Sequence, residues 1–492
     1  MSQEQIRMPQ ICALQFGRDE MNLDQLFSSD LKVVNVGSPI FNPDYEFQHV
    51  EYTHLDWRPV ANGNPVMIAV LKKLRPFQKR IDAANQIALE RILAAEAYLV
   101  DIASAKDVIP GMGKRMILHA GPPIKYETMA GPMRGAVLGA IIYERWASTL
   151  EEADLLARSG TISFEPAHQH AAVGPMAGII SPSMPVHVLH NPVHQSYAYC
   201  TVNEGLGKVL RYGANSAEVI ERLRWIESQF APVLKATLQV SGPIDIKGMI
   251  AQALHMGDEG HNRNKASTSL FFREIAPYVL QTSFPVKQQQ EFLEFIKAND
   301  HYMLNLSMPY AKLAMDTIQD VKDSSVVSVM SRNGVEFGIQ VAGSKQWFTA
   351  PANYVEGLLF PGFTKEDAAP DIGDSSITET AGIGGFALAG APAIIQFVGG
   401  SVKEAFQYSK DMHQITVGKH IMFTIPNLDF QATALGINIL DVVEKNVLPI
   451  INTGMAHKDP GVGQVGAGLV HPPLACFEAA LIQLLKQLEA SG

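Results

Sequence analysis

The chain is 492 residues long, with 47% hydrophobic and 18% charged residues and a formal net charge of −10. Such a length exceeds one hydrophobic core and sets an expectation of three or four domains, while the composition excludes a disordered or fibrous class. The negative charge argues against broad electrostatic binding to nucleic acid and leaves room for a local cationic pocket.

Three cysteines (Cys12, Cys200, Cys476) stand far apart. With no C-x-x-C pair they form neither a disulfide framework nor a zinc knuckle, and a reducing cytoplasm is the expectation. The N-terminal MSQEQIRMPQ lacks a basic region followed by an apolar run, so it does not read as a signal peptide. The apolar stretches are broken by Gly, Pro or charge before about 18 residues, so no membrane span is expected.

In chain order, Lys32–Ile40 (KVVNVGSPI) reads as a short buried strand ending at Gly37, and Pro65–Leu71 (PVMIAVL) as a second strand-length run. A long helix follows, with Ile81, Ala84, Ala88, Ile92, Ala95 and Leu99 on one face. This alternation suggests a Rossmann-like parallel sheet, yet Gly37 stands alone and no dinucleotide fingerprint is present. Met116–Leu118 reads as a strand, and Met129–Val137 leads into a helix with Val137, Leu138, Ile141 and Ile142 inward. Glu221 to Asn299 is mostly helical in pattern. Strand-like runs return at Ser325–Met330 and Glu336–Val341, and an amphipathic helix closes the chain at Leu474–Leu488. The expected class is multidomain α/β. Its parts are a Rossmann-like domain at 1–117, a Gly-rich α/β domain at 118–220, a mainly helical domain at 221–320 and a C-terminal α/β domain at 321–492.

The densest chemistry lies in Gly257–Phe271 (GDEGHNRNKASTSLF), between two helices of apolar periodicity. Gly257 stands where a C-cap would, and Ser267, Thr268 or Ser269 would cap the next helix. Such a cluster at a helix start suits anion capture, because exposed N–H groups and the positive dipole end favour negative charge; the plain alternative is a solvated loop. MAGPMRGAV offers Arg134 between glycines at another helix start, or simply a turn with a surface arginine. EPAHQH presents Glu165, His168 and His170, and on a strand His168 and His170 would share a face for a metal. More often such histidines orient substrates or satisfy backbone groups. GDSSITETAG gathers Asp374, Ser375, Ser376, Thr378, Glu379 and Thr380, either as a cup for a small anion or as a tight packing turn. NTGMAHKDPGVGQVGAG supplies His457 and Lys458 before a glycine run. Walker A and G-x-S-x-G patterns are absent.

The segments HAGPPI, GPMRGA, EPAHQH, GDEGHNRN, GDSSITET and NTGMAHKDPGVGQVGAG, spread over nearly the whole chain, resemble the YahG/YlbE-like proteins, a bacterial family long described as a domain of unknown function. The resemblance implies an FdrA-like partner subunit, proximity to carbamate kinases and, in one branch, a subunit of a catabolic oxamate carbamoyltransferase of anaerobic allantoin breakdown. It implies no residue-level assignment. S-T-R-T-R and H-P-x-Q, the carbamoyl-phosphate signatures of the aspartate and ornithine transcarbamylases, are missing, so any such site is built differently.

The resulting expectation is a cytoplasmic carbamoyltransferase subunit, oligomeric, without cofactor, nucleic acid or membrane, that holds carbamoyl phosphate or an oxamate-like acid. Clustering nominates His261, with His119 second and Glu259 nearby, for proton transfer or carbonyl polarisation. It nominates Arg134, Arg263 and Lys265 for anions, Asn262 and Asn264 for the amide or carboxylate, and Asp374, Ser375, Ser376, His457 and Lys458 as further substrate contacts. The alternatives are a non-catalytic scaffold subunit and a metal-dependent amidohydrolase using Glu165, His168 and His170.

Overall fold

A computed structural model describes residues 32–55, 57–394 and 398–491, so Cys12 and the N-terminal segment lie outside the described residues. The protein is mixed α/β, with several small sheets and many helices. By density of contacts it divides into Met1–Pro59 and Val60–Gly492.

In the first unit, Lys32–Val36 and Glu51–Leu55 pair in parallel across the short helix Asn42–Phe47. The expected strand at Lys32 is present, but its partner strand Glu51–Leu55 and the helix between them were not read from the sequence, and the strand is not buried: Val34 and Val36 are 63% and 52% exposed. The second unit opens with a correction. Pro65–Leu71 is not a strand but the start of the helix Pro65–Leu74. Asn64 Oδ1 accepts from the N–H groups of Val66 and Met67, and Pro65 fits the first turn, where its missing N–H costs nothing. Met67, Val70 and Leu74 then lie on one buried face.

The next helix, Gln78–Ala94, buries Ile81, Ala84, Ala88 and Ile92 as the spacing predicts; Ala95 ends it, and Leu99 belongs to the following strand. That strand, Tyr98–Ser104, lies antiparallel to Pro185–Asn191 and to Ile244–Asp245, with Ser196–Thr201 at the far edge. This sheet runs across the borders expected at 117 and 220, because strands distant in sequence complete one another's hydrogen bonds. A parallel pair, Met116–His119 with Ser163–Pro166, ends at the HAGPPI and EPAHQH segments. Beyond the helices of 217–316, Val327–Asn333 pairs with Glu336–Val341 and with Ile372–Gly373, which leads straight into GDSSITET. Ile451–Ala456 pairs with Gln464–Val470, and the helix Leu474–Ser491 packs on the helix Pro65–Leu74.

One large apolar cluster joins the helices of 217–316 to Phe423, Ile425 and Leu435, and a second gathers around the C-terminal helix. Cys200 and Cys476 are buried free thiols. Among the described residues no helix is long and apolar enough to cross a membrane.

Candidate functional site

The polar segments meet inside the second unit at two adjoining hubs and a cleft. The first hub is centred on the Gly257–Phe271 segment. The helix before it ends at His255, and the next begins at Lys265, preceded by Asn264. The expected capping by Ser267, Thr268 or Ser269 is therefore corrected: Ser267 sits inside the first turn. Its backbone N–H donates to Asp258 Oδ2 at 2.7 Å and its hydroxyl to the same oxygen at 3.1 Å. The buried Asp258 carboxylate thus occupies the positive end of this helix, so the helix start is filled by the chain's own anion.

What remains for chemistry is the loop ahead of it. His261 Nδ1 lies 2.8 Å from Glu379 Oε1, with both side chains buried. Glu379 Oε1 also accepts from Gly385 N at 2.9 Å and Asn452 N at 3.3 Å. A carboxylate in that position fixes the Nδ1–H tautomer and the ring orientation. Nε2 then presents a lone pair in the neutral ring and an N–H in the protonated one. Glu259 accepts the backbone N–H groups of Arg263 and His261 at 2.5 and 3.3 Å. Burial, and the charge of Glu379 beside it, push the Glu259 carboxyl up to about 8, so it carries a proton at neutral pH. Glu259 shapes the loop from beneath.

The second hub lies at Asp374, at the end of the strand Ile372–Gly373. Its Oδ1 accepts from Gly121 N at 3.0 Å and Ser331 Oγ at 2.5 Å, its Oδ2 accepts from Gly174 N at 3.0 Å, and His168 Nε2 stands 3.3 Å from Oδ1. Burial pushes this carboxyl up, but the His168 charge and these donors outweigh it and hold Asp374 below the usual carboxylate range. Gly121 is required here: at φ +82° a Cβ would stand 2.5 Å from the Arg332 carbonyl carbon. Next to Asp374, the fully buried Arg332 pairs with Asp371 at 2.7 Å. It also donates to Gly373 O, Ser375 Oγ and Thr453 Oγ1 at 3.0, 3.1 and 2.9 Å. Ser376 donates to Met330 O. Asp374, Ser375 and Ser376 are thus brought together, but each is buried and engaged with the protein itself.

Between the first hub and solvent lies a cleft of about 210 Å³, lined by Asn262, Arg263, Asn264 and Lys265 together with Asp300, His301 and Gln464. Arg263 Nε donates to Gly257 O at 3.0 Å, and its guanidinium lies 3.7 Å from Asp258; its two Nη groups have no hydrogen-bond partner among the described residues. Asn262 Nδ2 donates to Asn452 Oδ1 at 3.1 Å. Lys265 pairs with Asp300 at 3.2 Å, both largely exposed.

A family model described as "oxamate carbamoyltransferase subunit AllG" matches residues 162–375. The chain is 47% identical over 460 residues to the uncharacterized protein YahG of Escherichia coli K12, covering 93% of this chain and 98% of that protein. It is 43% identical over 409 residues to the oxamate carbamoyltransferase subunit AllG of the same organism, covering 82% and 98%. The chain belongs to the YahG/AllG family. Its fold also matches, with TM-score 0.82 and 47% identity, the crystal structure of a conserved protein of unknown function from Enterococcus faecalis V583, covering 83% of this chain and 99% of that one.

Several nominated residues stand elsewhere. Arg134 is exposed on the helix Gly131–Tyr143, its charge felt by Tyr126 and Asp154, and it does not line the cleft. Lys458 is exposed, and its carbonyl packs against Gly131. His457 accepts from Asp459 N at 2.9 Å and has Asp367 3.9 Å away. His119 is fully buried; its Nδ1 bonds Ala120 O at 2.8 Å, Nε2 has no partner, and burial lowers its pKa. The strand face that His168 and His170 were expected to share is not present. His168 and His170 lie on a 3-10 turn rather than a strand and diverge, His168 towards Asp374 and His170 towards Glu165 at 2.8 Å. Among the described residues no group of three such side chains could hold an ion.

Sequence reasoning did not single out Glu379 as the partner of His261, nor Arg332, Asn452 or His301. The legible signal was for Arg332 alone: a lone arginine inside the run VSVMSRN, which is otherwise shaped for burial.

Proposed function

We propose that this chain is a subunit of a carbamoyltransferase that works with an FdrA-like partner and interconverts oxalurate plus phosphate with oxamate plus carbamoyl phosphate. The observation that carries the reading is the Glu379-oriented His261 beside a cleft whose wall is the Asn262–Lys265 run. The 43% identity to a protein named as an oxamate carbamoyltransferase subunit supports it.

The reaction moves a carbonyl carbon between an amide nitrogen and a phosphate oxygen. It needs cations on the phosphate and carboxylate, donors on the developing oxyanion, and proton transfer at the nitrogen. In this reading Arg263 and Lys265 hold the anionic groups. The free Nη pair of Arg263 suits a bidentate carboxylate or phosphate. Asn262 and Asn264 orient the amide, and His261 in its protonated form polarises the carbonyl through Nε2–H. Glu379 orients His261, while Glu259, Asp374, Ser375, Ser376 and Arg332 hold these groups from behind. Arg134, His119, His457 and Lys458 have no direct substrate contact in this scheme.

The test is oxalurate phosphorolysis by this chain purified with its FdrA-like partner, read as carbamoyl phosphate formed. Turnover that falls by roughly tenfold or more in Arg263→Ala supports the reading, in line with the loss of one charged hydrogen-bonding group. Formation of no carbamoyl phosphate overturns it. Activity with Arg263→Ala and Lys265→Ala both behaving as wild type moves the active site to the partner and leaves this chain a scaffold.

A further inference from the structure

The cleft contains a group that the sequence did not nominate. His301 lines it beside Asp300, across from the Asn262–Lys265 run. Three buried asparagines lock its backbone. Asn203 Nδ2 donates to His301 O at 3.0 Å and to Asn305 Oδ1 at 2.8 Å, and Asn299 Oδ1 accepts from His301 N at 3.2 Å while its Nδ2 donates to Asn203 O at 2.9 Å. Thr268, on the helix that follows the Arg263 loop, ties the same turn from the other side. Its hydroxyl donates to Asp300 O at 3.3 Å and accepts from Met303 N at 3.2 Å. The next residue, Tyr302, is fully buried and stacks on Phe271. The turn is thus held on both flanks and at its base.

The ring itself is different. Neither nitrogen of the half-buried His301 has a hydrogen-bond partner among the described residues, whereas His119, His168, His170, His187 and His261 all engage a protein group. A backbone fixed by a buried polar network, carrying a free imidazole into a cleft with an arginine and a lysine, is an arrangement that positions a proton acceptor.

We propose that His301 is a catalytic residue of the carbamoyl transfer, exchanging the proton of the acceptor nitrogen; this rests on the function proposed above. In the direction of carbamoyl phosphate consumption, the amide nitrogen of an oxamate-like acceptor bonds to the carbamoyl carbon. The C–O bond to phosphate breaks and its electron pair leaves on the phosphate oxygen. The N–H proton passes to the His301 ring. In phosphorolysis a phosphate oxygen bonds to the carbamoyl carbon as the C–N bond opens, and the departing nitrogen takes its proton from solvent through the His301 ring. Partial burial and the charge of Arg211 hold the ring's pKa at about 4, against the opposing pull of Asp300 and with a further lowering from His261, so the ring is an open acceptor at neutral pH. His261 acts on the carbonyl and His301 on the nitrogen.

The experiment uses the complex with the FdrA-like partner and compares wild type, His301→Ala and His301→Gln in oxalurate phosphorolysis and in the reverse transfer to oxamate. The expected result is a fall in kcat of about 100-fold or more in both variants. KM for phosphate should stay within about threefold, and added imidazole should restore the Ala variant in a dose-dependent way. Two results overturn the inference while leaving the carbamoyltransferase reading intact: kcat within about threefold of wild type in both variants, or full recovery in His301→Gln, which would show a hydrogen bond rather than a proton transfer. A loss in His301→Ala that imidazole does not relieve also overturns it. A wild-type complex that forms no carbamoyl phosphate overturns the function and this inference together.

Discussion

The Asp374 hub and the Arg263 cleft use the same residue types to opposite ends. Around Asp374, both carboxylate oxygens accept protein hydrogen bonds, and Arg332 donates to Gly373, Ser375 and Thr453 while facing Asp371. Around Arg263, the guanidinium keeps both Nη groups free and His301 both ring nitrogens, at a cavity large enough for a small acid, while the Nδ2 groups of Asn262 and Asn264 donate to Asn452 Oδ1 and His261 O. Buried polar groups are tolerable only when partnered. Free donors survive at the cleft because water satisfies them until a ligand does. Density of polar residues therefore marks both regions alike, and the completeness of their hydrogen bonds separates the framework from the ligand-facing wall.

The largest effect that would break this contrast lies in the closed hub. Arg332→Ala leaves Asp371 buried without its cation, and breaking such a pair costs about 3–5 kcal/mol. Chemical denaturation of the full chain should show that loss, or the variant should not accumulate folded. Wild-type stability would mean that the hub is not framework.

A smaller effect concerns Glu259. Its folded pKa of about 8 lies above the ordinary value for Glu, so the folded chain keeps a proton that the unfolded chain releases. Its contribution is complete below about pH 4.5 and declines as pH rises towards 8. Glu259→Gln removes that dependence. Relative to wild type, the variant should gain on the order of 1–3 kcal/mol between pH 5 and pH 8. Parallel pH–stability curves for the two proteins would show that Glu259 is ionised in the fold.

The smallest effects belong to the open wall. Arg263→Ala should weaken phosphate binding by about tenfold in calorimetric titration; it also removes the Nε donation to Gly257 O and the charge beside Asp258, so a modest fall in Tm, smaller than that of Arg332→Ala, should accompany it. Lys265 and Asp300 are both more than half exposed. Lys265→Ala should therefore change stability by less than about 1 kcal/mol. A large stability loss in either variant would make the wall a structural element like the hub.

Much of the secondary structure was legible where periodicity ran long. The helix Gln78–Ala94, the helical pattern from Glu221 to Asn299 and the closing helix follow from apolar spacing, whereas the helix Leu304–Asp316 lies beyond that reading. The failure at Pro65–Leu71 has a local reason: a short apolar run carries no period, and the decisive Asn64 cap with Pro65 behind it outweighs strand propensity. The choice of Ser267, Thr268 or Ser269 as cap failed for a non-local reason, because Asp258, nine residues upstream, reaches the first-turn N–H groups.

By itself the sequence determined the composition class, the α/β character, the family and the segments that hold polar chemistry, since all of these are written in residue type and near-neighbour spacing. Only the tertiary structure decided which of those segments meet. It set Glu379 against His261, filled the helix start with Asp258, buried Asp374 in a closed network and left Arg263 and His301 facing a cavity. The physical reason is range. Periodicity and capping act over a few residues, whereas a buried carboxylate takes its donors from whatever the fold brings within about 3 Å, here Gly121, Gly174 and Ser331, drawn from three separate parts of the chain.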